Sequence, residues 1–334
     1  MQQVVIPKPG EVSVTEAEPR RPAPDEAALR VEAIGICGSD IHTFNGEHPF
    51  VSYPVWPGHE LVGMVEAVGE GVDLALVGTR VALEPSLPCG RCRPCREGRY
   101  NICENLEVLG FQAPGGMAER FTVRADRLHP LPDSLELDTA ALVEPMAVAV
   151  HAARLPGALA ASSVGVAGGG TIGLLTGAAA LAYGAARVVV ADPLPERRAV
   201  AEALGLTAVD ALEPGSCDVV FECVGSEGAL RAGIDACMKG ATVIVAGVFG
   251  ADARVQAGLV QDRELRLQGS LMYVSSDVRD AIRLLAEGRV AASKLVTHRF
   301  RLAEAERAFA VAAARGGALK VLLVPDPVPA AAEP

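Results

Sequence analysis

The chain has 334 residues, half of them hydrophobic and 21% charged, with a net charge of −11. That length accommodates two domains with separate cores, and the composition excludes general disorder, leaving only the final "PVPAAAEP" as an expected unstructured stretch. A diffusely acidic surface argues against nucleic acid or an anionic membrane as partner.

The opening "MQQVVIPKPGEVSV" lacks a basic start followed by an apolar core, so no signal peptide is expected and the cytoplasm is the expected compartment. Three separated segments then offer metal-binding side chains: "GICGSDIH" with Cys37, "PGHELVG" with His59 and Glu60, and "LVEPMAVAVHA" with Glu144. One thiolate, one imidazole and one carboxylate with a vacant position describe a catalytic zinc. Cys37 and one Glu already neutralise a dication, so one of Glu60 and Glu144 is expected on the metal at a time, the other close by. Taken singly, His59 reads more readily as a satisfied core or loop histidine, and Glu60 as a surface salt-bridge partner; the combination carries the reading.

Between these segments, "CGRCRPCREGRYNIC" gathers Cys89, Cys92, Cys95 and Cys103 within fifteen residues. Four thiolates so spaced suit a closed tetrahedral zinc with no room for substrate, hence a structural site. An iron–sulfur centre and free thiols are the alternatives.

From Leu155 to Ala186 no residue is charged, but Pro156 and several glycines argue against a membrane span. The same region reads as strand Val164–Ala167, a turn with Gly168, Gly170 and Gly173 in the G-x-G-x-x-G pattern, a helix, and the strand "RVVVA". The first glycine permits the turn, the second lets amides approach a pyrophosphate, and the third lets helix and strand pack. Asp192 ends the second strand, where a carboxylate favours ribose hydroxyls and repels a 2′-phosphate, so NAD is expected; Arg197 and Arg198 keep NADP open. Further strands are expected at 217–222, 241–247 and 265–270, with helices at 196–204 and 227–238, giving a doubly wound parallel sheet. Cys217, Cys223 and Cys237 read as small buried residues.

Together, "GHE", the four-cysteine segment and "GGGTIG" resemble the zinc-dependent medium-chain dehydrogenase/reductase superfamily over nearly the whole chain. The resemblance implies an α/β protein with a GroES-like, mainly β catalytic domain (1–145), a Rossmann domain (146–272) and a return to the catalytic domain (273–334). Glutamate at position 144, "YNICENLEVLG" and "GSLMY" are similar to the branch of polyol (sorbitol-type), butanediol and threonine dehydrogenases. By the same resemblance the cofactors are two zinc ions and NAD, with Thr171, Ile172, Val224, Gly247 and Val248 joining the glycines, Asp192 and Arg197 at the dinucleotide. Ser39 and His42 match a proton relay from the substrate hydroxyl to water. The implied reaction is hydride transfer between a secondary alcohol (polyol, vicinal diol or sugar acid) and NAD, in a homo-oligomer, dimer or tetramer. Threonine oxidation at the 3-hydroxyl and a non-catalytic NAD-binding structural protein are the competing readings. His48, Phe50, Trp56 and Glu119 are weaker candidates for the substrate pocket.

Overall fold

Burial alternates along strand Glu26–Ile36 for its first eight residues and then becomes continuous, the pattern of a sheet open to solvent at one end and covered on both faces at the other. This strand is the centre of a seven-stranded sheet, in a computed structural model that describes residues 1–314 and 316–325. The order is Val296–Arg301, Lys320–Val324, Glu26–Ile36, Glu60–Val68, Arg80–Leu83 and Leu128–Pro130, with Arg120–Arg124 also paired to Glu26–Ile36. The register sets Gly35 opposite Glu60 and Ile36 opposite Val321. Cys37, His59, Glu60 and Lys320 are thereby brought to one end of one sheet. Leu29, Ile34, Leu61, Leu83, Phe309 and Leu323 form the core behind it. The expected tail "PVPAAAEP" lies outside the described residues.

The second sheet has six strands, all parallel, in the order Thr207–Val209, Arg187–Ala191, Ser163–Ala167, Cys217–Glu222, Cys237–Val245 and Arg266–Gly269. Strand order reverses between Ser163–Ala167 and Cys217–Glu222, and in such sheets ligands bind beyond the carboxyl ends at that switch point. Helix Thr171–Ala182 follows the glycine turn, and helices Pro195–Ala203 and Glu227–Ala236 connect later strands. The last is two residues shorter than its sequence pattern predicts, because Cys237 already opens the next strand opposite Cys217. The uncharged stretch from Leu155 to Ala186 divides into a strand and a twelve-residue helix. Among the described residues no helix is long and apolar enough to cross a membrane.

Helix Val143–Arg154 spans the expected boundary at residue 145 and packs against Thr171–Ala182 and Ser275–Ala286. It carries Glu144 in its first turn and His151 in its last. The segment after residue 273 returns to the first sheet through Val296–Arg301 and Lys320–Val324.

Candidate active site

Cys37 is the N-cap of helix Gly38–Asn45, and Asp40, three residues on, accepts from the Cys37 N–H at 2.9 Å. The capping carboxylate therefore fixes the residue that carries the sulfur. Asp40 is fully buried, and its other oxygen lies 3.6 Å from Nδ1 of His59, which is also buried. Neither of these two atoms has a hydrogen-bond partner among the described residues. The Cys37 sulfur, a His59 nitrogen and a Glu60 oxygen lie within 4.8 Å of one another. Thiolate, imidazole and carboxylate at that spacing suit zinc, as do the orphaned His59 and Asp40 atoms, which the structure leaves oriented beside the donor group. Burial opposes a charged His59, but Asp40 and then Cys37 outweigh it and hold its pKa well above the ordinary value.

The two glutamates occupy different situations. Glu60 is buried and ion-paired with Lys320, whose Nζ is 2.6 Å from Glu60 Oε1. Gly35 makes room for this carboxylate: a Cβ there would lie 2.0 Å from Glu60 Oε2. Glu144 stands beside the Cys37–His59–Glu60 group without belonging to it, and its Oε1 accepts from the fully buried Tyr273 hydroxyl at 2.8 Å. Burial pushes Glu144 up to about 7, against the pull of His59. Lys320 lies on Glu60, so its ammonium offsets one of the negative charges that Cys37, Glu60 and Glu144 bring to the centre.

Ser39 and His42 are three apart on the helix that Cys37 begins, so they share a face. The Ser39 hydroxyl lies 3.1 Å from the Cys37 sulfur, while His42 is partly exposed with Nδ1 3.2 Å from Glu47. Phe111 packs over His59 at 4.9 Å between ring centroids and stacks on His48 at 4.6 Å. Phe50 is largely exposed. Trp56 contributes a carbonyl to the Gly115 N–H. Glu119 accepts from the Gln2 N–H and ties down the strand Gln2–Lys8, a structural engagement that sequence alone does not reveal.

All four sulfurs of Cys89, Cys92, Cys95 and Cys103 lie within 4.8 Å of one another. The N–H groups of Arg91 and Cys92 pull the Cys89 thiol down to about 6, so backbone donors stabilise thiolate where a metal needs it.

At the second sheet, Gly168, Gly170, Asp192, Arg197 and Val224 line one cleft of about 610 Å³ beyond the strand ends. Gly168 has φ 103°, and a Cβ on Gly173 would lie 1.8 Å from the Gly168 carbonyl, so the third glycine is required by packing. A Cβ on Gly170 would meet nothing within 4 Å; that position faces open space. Asp192 is buried, with Oδ2 accepting from Gly169 N–H at 2.8 Å and Oδ1 from Leu194 N–H at 2.9 Å. Arg197 reaches Asp192 at 3.4 Å. Thr171 donates its hydroxyl to the Leu319 carbonyl. Thr171, Ile172, Gly247 and Val248 do not line this cleft. Glu222, absent from the sequence reading, is fully buried and shapes the Val224 turn by accepting from the N–H groups of Val224 and Gly225.

Residues 23–133 match the alcohol dehydrogenase GroES-like domain and residues 171–287 the zinc-binding dehydrogenase domain. The chain is similar to D-xylulose reductase of Saccharomyces cerevisiae, 33% identical with 92% of each chain covered. It is also similar to sorbitol dehydrogenase of Bacillus subtilis, 34% identical, covering 90% of this chain and 91% of that one. A zinc-binding dehydrogenase of Sinorhizobium meliloti, crystallised with NADP, superposes with a TM-score of 0.91 at 34% identity, covering 97% of this chain and 99% of the other. The chain belongs to the zinc-dependent medium-chain dehydrogenase/reductase superfamily, in its polyol branch.

Proposed function

We propose that this protein oxidises a secondary alcohol of a polyol, vicinal diol or sugar acid, with NAD as hydride acceptor. The observation that carries the reading is the convergence of Cys37, His59 and Glu60 at the adjoining ends of two paired strands, their donor atoms within 4.8 Å of one another. Family membership, the glycine-turn cleft and the relatives named D-xylulose reductase and sorbitol dehydrogenase support it. Bound there, zinc supplies Lewis acidity toward the substrate hydroxyl, and the nicotinamide supplies the hydride acceptor.

The chain's own residues do the rest. Cys37 and His59 would hold the metal, Asp40 fixes Cys37 and places its charge beside His59, and Lys320 holds Glu60 at the edge of the donor set. Glu144, presented by Tyr273, is the second carboxylate. Ser39, beside the Cys37 sulfur, accepts the substrate's proton at its Oγ as it gives up its own in the direction of His42, which releases a proton to solvent beside Glu47. Cys89, Cys92, Cys95 and Cys103 hold a second, structural zinc. Asp192 favours NAD, since a 2′-phosphate would approach its carboxylate.

The enzyme is a cytoplasmic homo-oligomer in this reading. The outermost parallel strand, Arg266–Gly269, is exposed at every residue and is followed by exposed Leu271, a sheet edge open to a second copy. Metal analysis and an NADH-formation assay over polyols, diols, sugar acids and threonine test the proposal. Two zincs per chain and turnover of a polyol or sugar acid support it; fewer than two zincs, or turnover of threonine alone, overturns it.

A further inference from the structure

The four-cysteine lobe touches more than its own sulfurs. Between Cys95 and Cys103 the turn Tyr100–Ile102 carries two side chains that grip the segment 271–275, where the chain leaves the parallel sheet on its way back to the first. Asn101 Nδ2 donates to the Leu271 carbonyl at 2.9 Å and lies 3.3 Å from Nε2 of His151. At the other end, the Ser275 N–H donates to the Tyr100 hydroxyl. That hydroxyl in turn donates to Glu84 Oε1 at 2.7 Å, and Glu84, fully buried, is held by Arg127 at 3.0 Å and His129 at 2.7 Å. The grip is therefore braced against the first sheet.

Between these two anchored ends the backbone does something L side chains avoid. Met272 has φ 46°, a left-handed conformation that persists only where the surroundings over-determine it. The next residue is Tyr273, fully buried, whose hydroxyl donates to Glu144. Hydrogen bonds that orient a ligating or near-ligating carboxylate are worth about ten- to a hundredfold in activity or metal affinity.

We propose that Tyr100 and Asn101 are positioning residues for the catalytic carboxylate. By pinning both ends of 271–275 they hold Met272 in its left-handed turn and Tyr273 on Glu144, so the structural-zinc lobe sets the geometry of the catalytic centre. The inference rests on the reading of Cys37, His59 and Glu60 as a metal centre with Glu144 as its second carboxylate, and it gives the lobe a task beyond its own stability.

The test uses full-length holoenzyme with zinc in the lobe and cobalt exchanged into the catalytic centre. Tyr100→Phe, Asn101→Ala and Tyr273→Phe are compared with Arg93→Ala, an exposed lobe residue paired, among the described residues, with Glu97 alone. Tyr100→Phe removes one hydroxyl and leaves Glu84 its Arg127 and His129 partners, so the fold survives; Asn101→Ala is an independent probe of the same segment. Expected are a kcat lowered about tenfold in Tyr100→Phe and Asn101→Ala, an almost unchanged KM for NAD, and a visible cobalt spectrum displaced in the direction of Tyr273→Phe. Arg93→Ala should match wild type in all three. An unaltered cobalt spectrum and kcat in both lobe variants, with two metals retained, overturns the coupling. Full turnover in Cys37→Ser instead overturns the underlying metal-centre reading, whatever the lobe variants do.

Discussion

Lys320 places its ammonium on the carboxylate of Glu60, 260 residues earlier in the chain, with both side chains almost wholly removed from solvent. Breaking one member of a buried pair costs about 3–5 kcal/mol, because the survivor keeps an uncompensated charge. Lys320→Met should therefore lower the unfolding midpoint of the metal-free protein strongly. Zinc should restore more stability to this variant than to wild type, since a dication can take over the freed carboxylate. Thermal unfolding with and without zinc measures both; an equal zinc effect in the two proteins removes Lys320 from the charge balance.

The metal-free centre should lose stability as pH rises. Glu144 is raised from 4.5 to about 7, so its stabilising contribution is complete below 4.5 and lost as pH climbs through about 7. His59 is also raised, well above 6.5, so its contribution likewise disappears as pH rises through that higher value. Zinc displaces protons from such ligands, so the loaded protein escapes both losses. The midpoint difference between zinc-loaded and chelator-treated protein should widen from about pH 5 to about pH 8, and Glu144→Gln should narrow it. A gap independent of pH contradicts the assignment.

Cys95→Ser should leave one zinc per chain instead of two, because a closed four-sulfur site does not survive loss of a ligand. Elemental analysis reads this directly. Cys37→Ser should also lose one zinc, but with NAD affinity retained, since Gly168, Gly170 and Asp192 lie on the other sheet. Two zincs in either variant refutes the corresponding site.

Asp192→Ala removes an acceptor from Gly169 and Leu194 and the charge beside Arg197. A hydrogen bond to a charged group is worth about 1.5–3 kcal/mol, so kcat/KM with NAD should fall roughly ten- to a hundredfold. Activity with NADP should fall less or rise. A parallel loss with both cofactors would confine Asp192 to holding the glycine turn.

His42→Ala should slow alcohol oxidation, most severely at low pH, where proton release meets the greatest opposition. Ser39→Ala should slow it throughout the range. A pH–rate profile for His42→Ala that parallels wild type takes His42 out of the relay.

The glycine turn and the four-cysteine lobe were legible because each is a local spacing: one makes a turn, the other gathers sulfurs. The parallel strands were legible as short apolar runs. The first domain's sheet was not, since Glu26–Ile36 pairs with strands starting at Glu60, Arg120 and Lys320, and nothing local announces those partners. The same distance hid the carboxylate partners. Lys320 sits in "KVLLV" as a lone charge in an apolar strand, and Tyr273 meets Glu144 across 129 residues. Asp40 was closer to hand: an acidic residue three after Cys37 is a capping signal, and capping here also places the carboxylate beside His59.

The strand Lys320–Val324 lies between two others, not at the rim of its sheet. The parallel sheet, by contrast, is completed by residues 163–269 without interruption. During translation the nucleotide-binding half can thus mature while its partner waits with a gap at Ile36. Synthesis reaches the cationic partner of Glu60 only after every thiol and imidazole of the described residues has been made, so until Lys320 arrives the donor group can gather but its buried carboxylate has no counter-charge.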